Sequence, residues 1–413
     1  MAFRLGFIGA GFVARFHAWA LASVRDVELV GVTRHGGSEA LSAYSKELGV
    51  GECAVVKSIR ELCEMSDAVA ILSPNFVRVE AVEEIVDAIE KGAELKGLIC
   101  EKPLARNMAE GRKVMSLAEK TGLPTAYLEN QLHMKAIRAA RTQLEPAGAA
   151  MGWPVLARCS EEHAGPHHGW FWDPRRQGGG ALSDLACHSI AIGRHVLTPA
   201  GKGVSFMEPT AVSAETTLLK WGQEPYRKQL LETMGVDYGE TPAEDYASGV
   251  VTFKNPETGQ VVKSQFSNSW MYDKQGMRLA MDGLGPGYAF EINTLQSPLE
   301  VFVGDAAAEG VGDAESALEK STATRGLLAV VPNEPDLYGY PDELADACRS
   351  FERGESGMLD WGYGLEIVKL CQAAYMSAER RAVVDLTDEA TLSELEGYES
   401  AISRGEGASV LYR

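Results

Sequence analysis

The sequence predicts an α/β protein in two parts. An N-terminal, doubly wound parallel sheet is followed by a C-terminal α+β region with an open, mainly antiparallel sheet. Three observations predict it. Up to about residue 125, short apolar runs alternate with amphipathic stretches at helical period, the pattern of strands joined by crossover helices. After residue 129 that alternation stops. From 204 to 303, extended runs are separated by turn residues, which is how antiparallel strands read.

Element by element, Phe3 to Ile8 is a strand, followed by a glycine turn and a helix from Phe12 to Val24. Val27 to Thr33 is the next strand and Ala40 to Leu48 the next helix. Ala68 to Leu72 is a buried strand that stops at Ser73-Pro74-Asn75. Val79 to Lys91 is a helix with Val82, Ile85, Val86 and Ile89 on one face. Leu98 to Cys100, Ala109 to Thr121 and Thr125 to Leu128 complete the unit as strand, helix and strand, so the first domain is expected to span 1–128. In residues 129–413, Met134 to Leu144 reads as helix, Val155 to Cys159 as strand, and 161–181 as a long ordered loop rich in Gly, Pro, His and Trp. Leu182 to Leu197 reads as a helix, and extended runs follow, notably at 249–253, 255–259 and 261–270. Residues 304–325 read as an exposed loop or short helix, and terminal helices lie within 341–380. Residues 221–246 carry no chemical signature.

Composition narrows the function. With 39 Lys and Arg against 58 Asp and Glu, the net charge is −19, and an acidic surface repels phosphate backbones and anionic lipid. Neither nucleic acid nor membrane is an expected partner, and no apolar run approaches the ~20 residues that span a bilayer. The seven Cys have no C-x-x-C spacing, so neither a disulfide framework nor a zinc knuckle is indicated. A cytoplasmic, reducing setting is the expectation.

The first strand ends in Gly9-Ala10-Gly11-Phe12-Val13-Ala14. In such a G-x-G-x-x-A turn the first glycine permits the bend, and the second lets the backbone approach a pyrophosphate. The small third residue lets helix and strand pack. Phe12 and Val13 open the helix, whose N-terminal N–H groups suit phosphate. Position between the first strand and first helix favours a dinucleotide site over a packing turn with no ligand. Where NAD is bound, an acid ordinarily ends the second strand. Here Val32-Thr33-Arg34-His35 has none. An Arg at that place pairs with a 2′-phosphate, which favours NADP over NAD. A solvated Arg34 beside an NAD site is the other reading.

The strand at 98–100 runs into Glu101-Lys102-Pro103, putting a Lys at the carboxyl end of a parallel strand, where open α/β sheets bind ligands. Glu101 is placed to hold the ammonium. With the Gly9–Gly11 turn and Ser73-Pro74-Asn75, this segment resembles the glucose–fructose oxidoreductase / inositol dehydrogenase / rhizopine-catabolism (Gfo/Idh/MocA) family. Its members pair a Rossmann domain with a C-terminal domain bearing an open antiparallel sheet. Gly178-Gly179-Gly180-Ala181-Leu182-Ser183-Asp184-Leu185-Ala186-Cys187-His188 looks like the family's G-G-G-x-L-x-D-x-x-x-H segment. Asp184 and His188 are i and i+4, so a helix sets both on one face, where the carboxylate orients or biases the imidazole. A capping Asp and a core His are the bland alternative.

The resemblance extends to Gly354, Gly364 and 373–377. It implies a cofactor site of Gly9, Gly11, Phe12, Val13, Thr33, Arg34, Ser73, Pro74, Asn75, Glu101, Lys102 and Asn130, and a homodimer or homotetramer. Three positions depart from the family pattern. Arg78 replaces a His after the P-N turn, and Leu132 an Arg after Asn130; both are expected to alter cofactor or substrate contacts. Ala191 replaces an acid three residues after His188, leaving that His with fewer acidic neighbours.

Five of the eight histidines, His163, His167, His168, His188 and His195, cluster with Glu161, Glu162 and Asp184. The loop context lacks helical ligand spacing, so no metal is expected. The loop, with Trp170, Phe171, Trp172, Arg175 and Arg176, is expected to wall a carbohydrate pocket, with interdomain packing as the alternative.

The expected activity is NAD(P)-dependent hydride transfer at a secondary hydroxyl or ketone of a sugar, polyol or glycoside. In it His188 moves the proton, Lys102 stabilises the oxygen and Asp184 orients His188 or a neighbouring hydroxyl. A redox-neutral NAD-dependent glycosidase or lyase of the same fold, and a non-enzymatic dinucleotide sensor, stand as alternatives.

Overall fold

Strands β1 (Phe3–Ile8), β2 (Val27–Thr33), β3 (Ala54–Val55), β4 (Ala68–Ile71), β5 (Gly97–Glu101) and β6 (Thr125–Leu128) pair in parallel in the order β3-β2-β1-β4-β5-β6. The strand order reverses at β1, so the chain leaves β1 and β4 in opposite senses and a crevice opens above their carboxyl ends. The computed structural model describes residues 2–33, 36–273, 276–294, 300–302, 327–329 and 333–412. Arg34 and the loop or helix expected at 304–325 lie outside the described residues. Both β3 and the helix Ile59–Met65 escape the sequence reading, because a two-residue strand and a two-turn helix are too short to establish a period.

The second sheet comprises β7 (Leu156–Glu162), β8 (Glu208–Thr217), β9 (Tyr246–Lys254), β10 (Val261–Ser269), β11 (Arg278–Gly285) and β12 (Tyr288–Asn293). A separate antiparallel pair, β13 (Glu300–Phe302) with β14 (Leu327–Ala329), precedes a short edge strand, β15 (Val384–Asp385). The large sheet runs β12-β11-β7-β10-β9-β8-β15, and among its described strands only β7 and β10 pair in parallel. The open, mainly antiparallel sheet is therefore as expected.

Several boundaries differ from the sequence reading. The helix expected to end at Leu144 continues through Pro146 to Met151. Its last turn is held by Trp153, which lies over Gly148 and donates its indole N–H to the Thr198 carbonyl. The stretch expected to be a long loop contains the end of β7 and two four-residue helices, Gly169–Trp172 and Pro174–Gln177. The helix expected from Leu182 opens as a single π-helical turn, Leu182–Ala186, before becoming the α-helix Cys187–Leu197. A helix, Glu224–Met234, fills the featureless 221–246 region.

The two parts share more than a linker. The helix Tyr340–Glu352 returns to the first sheet, where Leu344, Ala347, Cys348 and Phe351 join one core with Leu5, Phe7, Ala70 and Ile99. That return brings Tyr338 and Tyr340 to the rim of the crevice.

Candidate active site

The carboxyl ends of β1, β4 and β5 and the loop after β7 enclose a cleft of ≈ 990 Å³. Gly9 has φ +119°, and a Cβ there would lie 2.9 Å from backbone atoms of Leu72 and Ser73, so glycine is required. A Cβ on Gly11 would meet nothing within 4 Å, so at that position the backbone lies open to the cleft. The helix Phe12–Leu21 starts there with no side-chain cap and no acid in its first turn, leaving its N-terminal N–H groups suited to an anion. Ser73 Oγ is buried beside the same cleft with no partner among the described residues. The pyrophosphate of a dinucleotide fits this cradle. Gly9→Ala adds strain of about 1–3 kcal/mol at the turn. It is expected to weaken dinucleotide binding at least tenfold in a fluorescence titration. Unchanged affinity would show that the turn touches no ligand.

The remaining predicted cofactor residues divide. Phe12, Val13, Pro74, Asn75, Glu101, Lys102 and Asn130 line the cleft. The Asn75 amide is committed to the Gln177 carbonyl and side-chain oxygens, both at 2.9 Å, and the Asn130 amide to the Tyr338 carbonyl at 2.8 Å. Thr33 is buried, donates its hydroxyl to the Val56 carbonyl at 3.0 Å and is absent from the lining. Arg78 donates to the carbonyls of Ser73 and Lys102, fastening the ends of β4 and β5 together. Leu132 is core.

Glu101 does not hold the Lys102 ammonium. Its carboxylate accepts from the Lys102 backbone N–H at 2.8 Å and lies 2.8 Å from Nε2 of His17, a buried residue of the Phe12–Leu21 helix. The dinucleotide turn and the Lys102 turn are thereby joined through a pair 84 residues apart. The ammonium instead donates to the Asp184 backbone carbonyl at 2.9 Å and to Oδ1 at 3.2 Å. Burial pulls Lys102 down, but Asp184, Cys187, Glu161 and Glu101 more than offset it, so Lys102 stays cationic. Burial pushes Asp184 up, yet Lys102 and His163 hold it well below the usual carboxylate range.

Asp184 does not orient His188. Its Oδ2 accepts from the Trp270 indole at 3.1 Å and faces His163 Nε2 at 3.6 Å, and no hydrogen bond joins Asp184 to His188 among the described residues. The two residues do share a face, since both line the cleft, but the Asp184 carboxylate is already taken by Lys102, Trp270 and His163. His188 Nδ1 instead lies 2.6 Å from Glu129 Oε1, and Nε2 lies 3.9 Å from Glu161 Oε2. The expected shortage of acids around His188 is thus corrected, because Glu129 and Glu161, from other parts of the chain, flank the ring. Burial lowers the His188 pKa and Lys102 opposes its charge, but Glu129 and Glu161 prevail, and the net shift is upward.

The histidine-rich loop is split between two jobs. His163, His167, His168, Trp170 and Phe171 line the cleft, with the Trp170 and Phe171 rings stacked at 3.8 Å and His167 5.5 Å from Phe12. Trp172 does not line it. Its ring is buried 4.7 Å from Trp221 and 5.1 Å from Trp270, the residue whose indole holds Asp184. Arg175 and Arg176 face Asp173 on the exterior. Among the described residues no group of three or more His, Cys, Asp or Glu is arranged to hold a metal ion.

A parallel sheet with a glycine phosphate turn, joined to an open antiparallel sheet across a cleft bearing Lys, Asp and His, defines a two-domain, dinucleotide-binding class of protein. The chain belongs to the Gfo/Idh/MocA family: residues 3–127 match the oxidoreductase family, NAD-binding Rossmann fold, and residues 144–283 match the GFO/IDH/MocA C-terminal domain. A 1,5-anhydro-D-fructose reductase of Ensifer adhaerens is 29% identical over 198 residues, 47% of this chain and 56% of that protein. A D-glucoside 3-dehydrogenase of Escherichia coli (strain K12) is 29% identical over 206 residues, 49% of this chain and 56% of that protein. The chain thus spans about half the length of the curated relatives it matches. The fold is shared with GenD2 from gentamicin A biosynthesis, solved in complex with NAD. There the TM-score is 0.71 at 20% identity, over 93% of this chain and 96% of that one. No helix among the described residues is long and apolar enough to cross a membrane.

Proposed function

We propose that this protein is an NAD(P)-dependent oxidoreductase acting on a secondary hydroxyl or ketone of a sugar, polyol or glycoside. One observation carries the reading: a cationic Lys102 held by Asp184 and a His188 held by Glu129 face the cleft that also receives the Gly9–Gly11 turn. The names of the curated relatives support the substrate class. Residues 1–128 form the dinucleotide-binding unit and 129–413 the substrate-binding and oligomerising unit, assembled as a homodimer or homotetramer. The seven thiols, all buried and unpaired, are consistent with a reducing, cytoplasmic setting.

Gly9, Gly11, Val13 and Ser73 would hold the dinucleotide, which when bound supplies or accepts the hydride. The chain's own residues do the rest. With Nδ1–H donated to Glu129, the neutral His188 ring keeps its Nε2 lone pair for the substrate hydroxyl proton, as general base in oxidation and, once protonated, as general acid in reduction. Lys102 places a fixed positive charge where alkoxide character develops. Asp184 aims that ammonium, and Trp270 and His163 aim Asp184. Trp170 and Phe171 offer apolar faces to a sugar ring.

A screen of sugars, polyols and glycosides with each cofactor, following formation of reduced nicotinamide, tests the reading. Turnover of a secondary alcohol is expected. Loss of an aglycone with retained cofactor and no net reduction would replace it with the redox-neutral glycosidase. Cofactor specificity rests on Arg34, proposed to pair with the 2′-phosphate. Arg34→Asp is then expected to weaken NADP about 10- to 150-fold while sparing NAD. Equal small losses for both would remove Arg34 from the site.

A further inference from the structure

The four N–H groups that open a helix have no partner inside it. In the turn that carries Asp184 all four are taken by two buried residues brought from elsewhere in the chain. Gly180 N donates to Glu244 Oε1 at 3.0 Å and Tyr375 Oη at 3.2 Å, and Ala181 N to the Glu244 carbonyl at 3.0 Å. Leu182 N donates to Glu244 Oε1 at 3.0 Å, and Ser183 N to Tyr375 Oη at 3.3 Å. The Tyr375 hydroxyl itself donates to Glu244 Oε1 at 2.7 Å, closing the network. Asp184 N then bonds the Gly180 carbonyl at 3.0 Å, so the turn's register is set directly by this cap.

The glycine run is shaped by the same pair. A Cβ on Gly179 would lie 1.8 Å from Tyr375 Oη, and one on Gly180 would lie 2.1 Å from the Glu244 carbonyl oxygen. Gly180 has no positive φ among the glycines that do, so close approach by Glu244 is what excludes a side chain there. Burial pushes the Glu244 carboxyl up to about 7 against the pull of its donors.

We propose that Glu244 and Tyr375 are positioning residues, a remote cap that fixes the Asp184 turn and through it holds the Lys102 ammonium in the cleft. This rests on the reading of Lys102 and Asp184 as functional groups of the site. The test reads Lys102 itself, on the whole protein without substrate or dinucleotide, by competitive acylation with acetic anhydride and peptide mass spectrometry. In the wild type, Lys102 is expected to label more slowly than Lys113, whose side chain is half exposed. If the cap slackens, Asp184 moves off the ammonium, its largest upward contribution is lost, and the Lys102 pKa falls. A fall of one unit raises labelling about tenfold.

That rise is expected in Tyr375→Phe, which deletes only the hydroxyl, and in Glu244→Ala. Glu244→Gln keeps an acceptor oxygen and should label as wild type. Unchanged Lys102 labelling in folded Tyr375→Phe overturns the proposal, whether or not Glu244→Ala folds. Labelling of Glu244→Gln at the Glu244→Ala level also overturns it, because hydrogen-bond acceptance would then not be what holds the turn. The readout needs no turnover. A protein that oxidises no sugar yet shows the shift would lose the oxidoreductase reading and keep the cap.

Discussion

Lys102→Met is expected to lower kcat by at least ~10²-fold, the scale of losing one donor aimed at a developing oxyanion. Met retains most of the side-chain volume but none of the charge. The Lys102 side chain is mostly buried, with 19% of its surface exposed, and ends on Asp184, so its field is little screened by water. Removing it leaves the Asp184 carboxylate with the Trp270 indole and His163, which is why the fold should survive at reduced stability. Dinucleotide affinity should change little, because the glycine turn belongs to β1 and the first helix. Steady-state kinetics on the best substrate, with circular dichroism to establish folding, checks this. Wild-type turnover would exclude Lys102 from the chemistry.

What the sequence discloses and what it conceals follow from the range of the interactions. The Gly9–Gly11 turn, the Lys102 strand end and the Asp184–His188 segment are legible because each is a local pattern with a local consequence. Partners of those residues are not legible. Glu129 reaches His188 across 59 residues, His17 reaches Glu101 across 84, and Trp270 reaches Asp184 across 86. None of these pairs has a spacing rule, since each depends on where the two sheets and their crossings bring the chain. Local spacing is right that Asp184 and His188 share a face, since both line the cleft, but it does not disclose that Lys102 and Trp270 occupy the carboxylate. Trp172 shows a similar limit. An aromatic in a polar loop reads as a pocket wall, whereas tertiary packing places it in a core against Trp221 and Trp270. The helix Tyr340–Glu352, correctly read as a helix, gave no sign that its apolar face covers the first sheet.

The pH dependence separates the two possible masters of His188. If His188 is the proton acceptor, oxidation needs the neutral ring, so kcat/KM should rise with pH through the His188 pKa. In the reductive direction it should fall through the same value. Because the net shift is upward, that limb should lie above the ordinary histidine value of about 6.5. Glu129→Gln keeps the shape but removes the negative charge 2.6 Å from Nδ1, so the imidazolium loses its main support and the limb should move to lower pH. Asp184→Asn should leave the limb nearly in place, since Asp184 serves Lys102 and Trp270, and should lower kcat through the ammonium instead. His188→Ala should abolish the limb and cost at least ~10²-fold in kcat, with dinucleotide affinity nearly intact. Rate profiles of the three variants beside wild type decide the matter. A limb that moves with Asp184→Asn and not with Glu129→Gln would mean that the Glu129 contact is not the one that tunes the ring. A His188→Ala profile that keeps the wild-type limb would shift the proton to His163, His167 or His168, the other histidines that line the cleft.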